Sequence, residues 1–274
     1  MNYRHAYHAG NHGDVLKHAV LAETIRRLHD KPTPVFLLDT HAGIGLYDLS
    51  ADEAEKTEEW RSGIGRIFAA SPPGIDAYLD IVRALNPDGE LAAYPGSPAI
   101  ASALLRTGDR LVLAELHPED ADTLRAWARG RPAVSAHQRD GYESIGAFLP
   151  PPERRGLVVV DPPYERDDEI RALAAAVAAG HRRWPGGRWL LWHPIKDRSA
   201  VWKLQEALLA GGVKGFLAVE LLVRPIDGMQ LAGSGLILIN PPFGLDAWLR
   251  EILPAVRDVL APQHGSYALQ WVGE

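Results

Sequence analysis

A run of small apolar residues ends abruptly in chemistry at "GLVVVDPPYE", residues 156–165. Proline supplies no N–H donor and fixes φ, so Pro162 and Pro163 cannot continue a strand ladder and must turn the chain rigidly. The turn aims the Asp161 carboxylate, a proline carbonyl and the Tyr164 ring. An exocyclic amine on an aromatic base needs that set, because its delocalised lone pair is a poor nucleophile. Two acceptors pulling on the N–H bonds localise the lone pair, and a stacked ring holds the base in line with an electrophile. The plainer reading is a strand-ending turn with a chance acid. A near-copy, "SGLILINPPFGLD", places Asn240 where the first motif has Asp161.

Three other strand ends carry matching chemistry. In "LLDTHAGIG", Asp39 could accept from a ligand amine, while Gly43 and Gly45 permit a tight turn and close backbone approach. This D-x-G-x-G-x-G-like frame fits the cofactor loop of S-adenosylmethionine (SAM) methyltransferases, with His41 in place of the first glycine. In "VLAELHP", Glu115 suits the hydroxyls of a ribose; a solvated edge acid would look the same. In "RDGYES", Asp140 and Gly141 fit a reader of the cofactor adenine, or equally a helix N-cap.

The elements that must position these groups alternate between strands and helices, which implies a mostly parallel, doubly wound sheet. Ligands bind such sheets at the carboxyl ends of the strands. Asp14 is the expected N-cap of a first helix. Residues 46–108 interrupt the alternation and read as a helical subdomain inserted in one domain spanning 1–274. "LAVELLV" and "SGLILIN" are separated by a loop too short for a crossover, so they predict a hairpin. Asn240 then falls on the face opposite the cofactor, and Asp161 is the better catalytic candidate.

Composition narrows the classes. The 274 residues carry a net charge of −6, so any nucleic-acid contact needs a local basic patch. No cysteine is present, which excludes disulfides and thiolate sites, and the 11 histidines form no HExxH pattern, so no metal is expected. The N-terminus lacks a signal-peptide core and no apolar run approaches membrane length, so a cytoplasmic protein is expected.

"YRHAYHAGNHGDVLKHAVL", "LDTHAGIGLYDL", "YPGSP", "LAELHP", "RDGY", "RRGLVVVDPPYE" and "INPPF" together resemble the RlmJ family of bacterial 23S rRNA adenine-N6 methyltransferases. The resemblance runs from residue 2 almost to the C-terminus. It implies a class I SAM-dependent methyltransferase fold, a Rossmann-like doubly wound sheet with a small helical insertion. It also implies that His18, His41 and Ser97 contact SAM, that Glu115 binds its ribose, and that Asp140 and Gly141 meet its adenine. Asp161 would orient, or take a proton from, the target N6 amine, with Pro162 and Tyr164 beside it. Tyr3 would meet the substrate RNA.

The N-terminal mixture of aromatic and basic groups, including Arg4 and Lys17, suits stacking on and phosphate contacts to single-stranded RNA. A stacked adenine cannot reach a carboxylate at a sheet edge, so the target base is expected to be extruded. The implied partner is 23S rRNA, protein-free or partly assembled, bound by a monomer without metal or membrane. A DNA adenine-N6 methyltransferase and a catalytically silent RNA-binding module on the same fold are the competing readings.

Overall fold

The computed structural model describes residues 4–273. After a short turn of 3-10 helix at His5–Tyr7, α1 runs His12–Leu28 and leads into β1, Phe36–Asp39. Asn11, not Asp14, caps α1: its extended backbone lets Oδ1 accept from Gly13 N at 2.8 Å and Asp14 N at 3.1 Å. Asp14 lies three residues beyond the cap position and turns its carboxylate elsewhere.

Strand β2 (Leu46–Asp48), α2 (Asp52–Thr57), α3 (Arg66–Ala70), α4 (Asp76–Leu85), β3 (Ala93–Pro95) and α5 (Ser97–Ala103) follow. Residues 46–108 thus hold four α-helices, a π-helical turn at Arg61–Gly65 and a two-stranded antiparallel sheet that sets Tyr47 opposite Tyr94. Tyr47, Ile64, Tyr78, Leu79, Tyr94 and Ile100 bury into the same core as Val15, Leu16 and Val20 of α1.

The alternation resumes with β4 (Arg110–Glu115), α6 (Pro118–Ala128), β5 (Val134–Gln138), α7 (Gly141–Phe148), β6 (Gly156–Val160), α8 (Glu169–Arg183), β7 (Arg188–Ile195) and α9 (Arg198–Ala210). The chain ends with β8 (Phe216–Leu222), β9 (Gly233–Ile239), α10 (Leu245–Leu260) and β10 (Ser266–Val272).

The main sheet has the order β10-β8-β9-β7-β6-β1-β4-β5. Strands β5, β4, β1, β6 and β7 are parallel. β9 pairs antiparallel with both β7 and β8, so the expected hairpin is present. Both faces of the sheet are covered, and β1 and β6 are buried along their whole length, which explains their unbroken apolar sequence. Their side chains alternate between two cores. Leu37, Leu157 and Val159 join α1, α4, α5 and α10 on one face. Phe36, Leu38, Val158 and Val160 join α7, α8 and α9 on the other. The chain crosses from β1 to β4 on one side and later returns to β6 on the other. That reversal opens a crevice at the carboxyl ends of β1 and β6.

Candidate active site

The crevice is a cleft of about 920 Å³, its open mouth included, and its lining takes in His18, His41, Gly43, Ser97, Glu115, Asp140, Gly141 and Asp161. Three strand ends and the N-terminus of α7 therefore converge as the sequence implies.

One half of the cleft is built as a cradle. Gly43 has φ +61°, a left-handed conformation that a side chain would strain, and its N–H donates to Glu115 Oε2 at 2.9 Å. Glu115 Oε1 accepts from His117 N at 2.8 Å. Burial pushes the Glu115 carboxyl above its usual value, against the pull of these two backbone donors. Asp140 caps α7 through Oδ1, which accepts from Tyr142 N and Glu143 N at 2.9 and 3.0 Å. The N-cap reading of Asp140 is borne out, and because the cap uses one oxygen the other is not taken up by it. A Cβ on Gly141 would lie 2.4 Å from the Thr40 carbonyl oxygen, so only glycine fits there.

Asp39 ends β1 fully buried, with His41 N at 3.3 Å from Oδ1 and the Ser97 hydroxyl near enough to favour its charged form. Its Oδ2 has no partner among the described residues. A buried orphan oxygen of this kind costs about 1–3 kcal/mol, which a ligand ammonium would recover. His18 donates or accepts through Nδ1 with Tyr94 OH at 2.8 Å and stacks on that ring, and Tyr94 OH meets Tyr78 OH at 2.9 Å. Burial holds His18 well below the usual histidine range and brings His41 down to about 4. Both rings are neutral at pH 7 and put no positive charge beside a cationic cofactor. The acids for an ammonium and a ribose, the glycine openings and the neutral rings fit SAM.

Burial raises Asp39 to about 6. The sign follows: the folded carboxyl holds its proton at pH values where the unfolded one has lost it. Asp39 therefore favours the ligand-free fold at low pH, and this contribution fades as pH rises through about 6. A cationic ligand amine favours the ionised form. SAM affinity is expected to rise between about pH 5 and 7, with a proton released on binding near the middle of that range. Calorimetry in buffers of different ionisation heat checks this; flat affinity and no proton release would count against Asp39 as the ammonium acceptor. Glu115 pulls in the same direction, while neutral His41 adds nothing over that range.

The other half of the cleft holds the amine chemistry. Lys17 Nζ donates to Asp161 Oδ2 and also lies 2.8 Å from Asp14 Oδ1. Burial opposes the Lys17 ammonium, but Asp14 and Asp161 outweigh it and raise Lys17 well above the ordinary lysine value. Asp14 Oδ2 accepts from Gly10 N at 2.9 Å and faces His5 Nε2 at 2.8 Å. Pro162 is buried and Pro163 lines the cleft. Tyr164 has φ +53°, unusual for a non-glycine residue. Its hydroxyl donates to the Trp192 carbonyl at 2.8 Å and its ring meets Trp192 edge-on, beside the cleft rather than in its lining.

The residues expected to meet RNA are placed unequally. Tyr3 lies outside the described residues. Arg4 is half-exposed and pairs with Asp120 at 3.3 Å. Lys17 is 3% exposed, so it faces the cleft and not a phosphate track on the surface. Asp14 was expected only as a cap, and the sequence analysis gave His5 no role of its own. The signal available was Asp14 spaced i, i+3, i+4 with Lys17 and His18 on one helix face.

The second proline motif is elsewhere. Because β9 is antiparallel to β7, Asn240 reaches the opposite edge of the sheet, where its amide donates to the carbonyls of Pro185 and Gly187, both at 2.8 Å. Asn240 itself takes the left-handed φ of +52°, whereas in the first motif the tyrosine does. Phe243 is fully exposed there, and its carbonyl accepts from Arg27.

Comparison with known proteins agrees with this geometry. The family model described as "Ribosomal RNA large subunit methyltransferase D, RlmJ" matches residues 32–273. The "Ribosomal RNA large subunit methyltransferase J" proteins of Haemophilus influenzae and Escherichia coli are 41% and 40% identical, each over 99% of both chains. A crystal structure of a Legionella pneumophila protein is 32% identical and superposes with a TM-score of 0.89, covering 96% of this chain and 98% of that one. With its acids, glycines and DPPY turn at the carboxyl edge of a doubly wound sheet, this chain belongs to the RlmJ family of ribosomal RNA large subunit methyltransferases.

Proposed function

We propose that the protein transfers a methyl group from SAM to the N6 amine of one adenine in 23S rRNA, with Asp161 as the residue that activates the amine. The observation that carries this reading is the single cleft holding the cradle of Glu115, Asp140 and Gly141 at one end and the Lys17–Asp161 pair at the other.

Bound SAM supplies an electrophilic sulfonium methyl group. Asp39 and Ser97 hold its amino-acid end, Glu115 its ribose, and Asp140 with the Gly141 backbone its adenine. His18 and His41 complete the wall. Lys17 takes Asp161 Oδ2, which leaves Oδ1 and the Pro162 carbonyl to accept from the N6 amine and localise its lone pair. Asp161 thus orients the amine, and the departing N6 proton passes to solvent. Tyr164 fixes the turn through Trp192, and its ring borders the space for an extruded base. Arg4, paired with the cleft residue Asp120, contacts single-stranded RNA, and the resemblance gives Tyr3 the same partner.

The chain works as a monomeric single domain in the cytoplasm, with 46–108 as its inserted subdomain, on rRNA that is protein-free or partly assembled. Among the described residues no group of three or more His, Cys, Asp or Glu could hold a metal ion, and no helix is long and apolar enough to cross a membrane.

Labelled-methyl transfer from SAM to protein-free 23S rRNA, intact ribosomes and duplex DNA, run in parallel, tests the reading. Label in protein-free rRNA, recovered as N6-methyladenosine, is the expected result. Label in DNA alone would establish the DNA methyltransferase reading instead, and SAM and RNA binding without transfer would establish the silent module.

A further inference from the structure

We propose that Asp14 is a positioning residue for methyl transfer, a buried carboxylate that seats the Lys17 ammonium against Asp161 and docks the N-terminal segment on the same site. The proposal rests on the reading of Asp161 as the amine-activating group.

Asp14 is 2% exposed and stands in the first turn of α1. A buried carboxylate is costly unless its oxygens are paired. Here every contact runs toward the cleft or the arm. Oδ1 holds Lys17 Nζ at 2.8 Å, with His18 Nε2 at 3.9 Å, and Oδ2 takes Gly10 N and His5 Nε2. Burial works against its ionisation, yet the Lys17 ammonium and the hydrogen bond with His5 hold it well below the usual carboxylate range. Helix capping does not account for it, because Asn11 already satisfies the first N–H groups of α1. Anchoring the helix start would use Gly10 alone and would not require a lysine held between two acids.

Lysine carries its charge on a flexible four-carbon stem, so one partner does not fix the ammonium. Asp14 supplies the second. The three groups Asp14, Lys17 and Asp161 also leave a net charge of −1 at the reacting amine. As the N–CH3 bond forms and the S–CH3 bond breaks with its electron pair going to sulfur, positive charge moves onto N6 before its proton leaves for solvent. A fixed negative charge beside N6 stabilises that transition state.

The test is a double-mutant cycle of D14N and K17M, read by single-turnover transfer of labelled methyl to protein-free 23S rRNA, with SAM affinity measured by calorimetry. D14N is expected to bind SAM within about threefold of wild type and to lose about tenfold or more in transfer rate, while adding less than about twofold to the loss of K17M. A D14N rate within about threefold of wild type, or the same loss on both backgrounds, would overturn the proposal. If D14N does not fold, D14E serves: it keeps the charge but moves the carboxylate by one methylene. Slower transfer with SAM affinity kept supports the proposal, and a wild-type rate overturns it. Wild-type protein and D161A, run alongside, separate the two failures. An inactive wild type or an active D161A removes the underlying reading and the proposal with it, whereas an active D14N beside an inactive D161A removes the proposal alone.

Discussion

Asp161→Ala is expected to slow methyl transfer by about 10²–10³-fold, the range lost when one preorganised hydrogen-bonding group of the transition state is removed, with SAM affinity little changed. Asp161 stands at the end of β6, and the cradle groups Glu115, Asp140 and Gly141 stand on other elements, so the loss should fall on the chemical step. Lys17 keeps Asp14 as a partner at 2.8 Å, so the variant is not left with an uncompensated buried ammonium. Asn240→Ala is the matched control. It removes two amide bonds to the Pro185 and Gly187 carbonyls and puts alanine at φ +52°, so about 1–3 kcal/mol of stability should go while the rate remains. Single-turnover rates and denaturant melts of both variants decide the matter. An active Asp161→Ala beside an inactive Asn240→Ala would refute the assignment by strand direction.

Glu115→Ala should weaken SAM binding by about 10²-fold or more. A hydrogen bond to a charged group contributes about 1.5–3 kcal/mol, and the ribose offers this carboxylate two hydroxyls. The same substitution leaves Gly43 N and His117 N without their acceptor, and Gly43 sits in a left-handed turn that those bonds hold in shape. Glu115→Gln keeps the size and one acceptor and should fall between. Equilibrium dialysis with labelled SAM reads the affinity directly. An unchanged dissociation constant would move the ribose to another acid of the cleft.

The elements were legible because their patterns are local. Valines 158–160 read as a strand buried on both faces, and β6 ends at Val160. The acids and glycines at Asp39, Gly43, Glu115, Asp140 and Asp161 were legible as a set, since parallel strands bring their carboxyl ends to one edge. The contacts that join the set to α1 were not. Lys17 and Asp161 are 144 residues apart, and His18 meets Tyr94 across 76, distances at which no spacing rule speaks. Asp14 was mistaken for a cap because capping and ion pairing use the same side chain, and Asn11 three residues earlier took the cap. The paired proline motifs share letters while their left-handed residue differs, Tyr164 in one and Asn240 in the other. Backbone conformation separates them where composition does not.

Helix α1 is buried around most of its circumference, and among the elements it packs against are β9 and α10, which come late in the chain. During synthesis it emerges first and waits for partners some 200 residues behind it. At roughly 5–20 residues per second that interval is ~10–40 s. For that time only the side of α1 that α4 and α5 cover has its partners, and the side that meets β9 and α10 is apolar surface on an unfinished chain. A chain that stops before β9 leaves one side of this helix uncovered, so the element that carries Lys17 to the site is completed only when nearly the whole chain has been made.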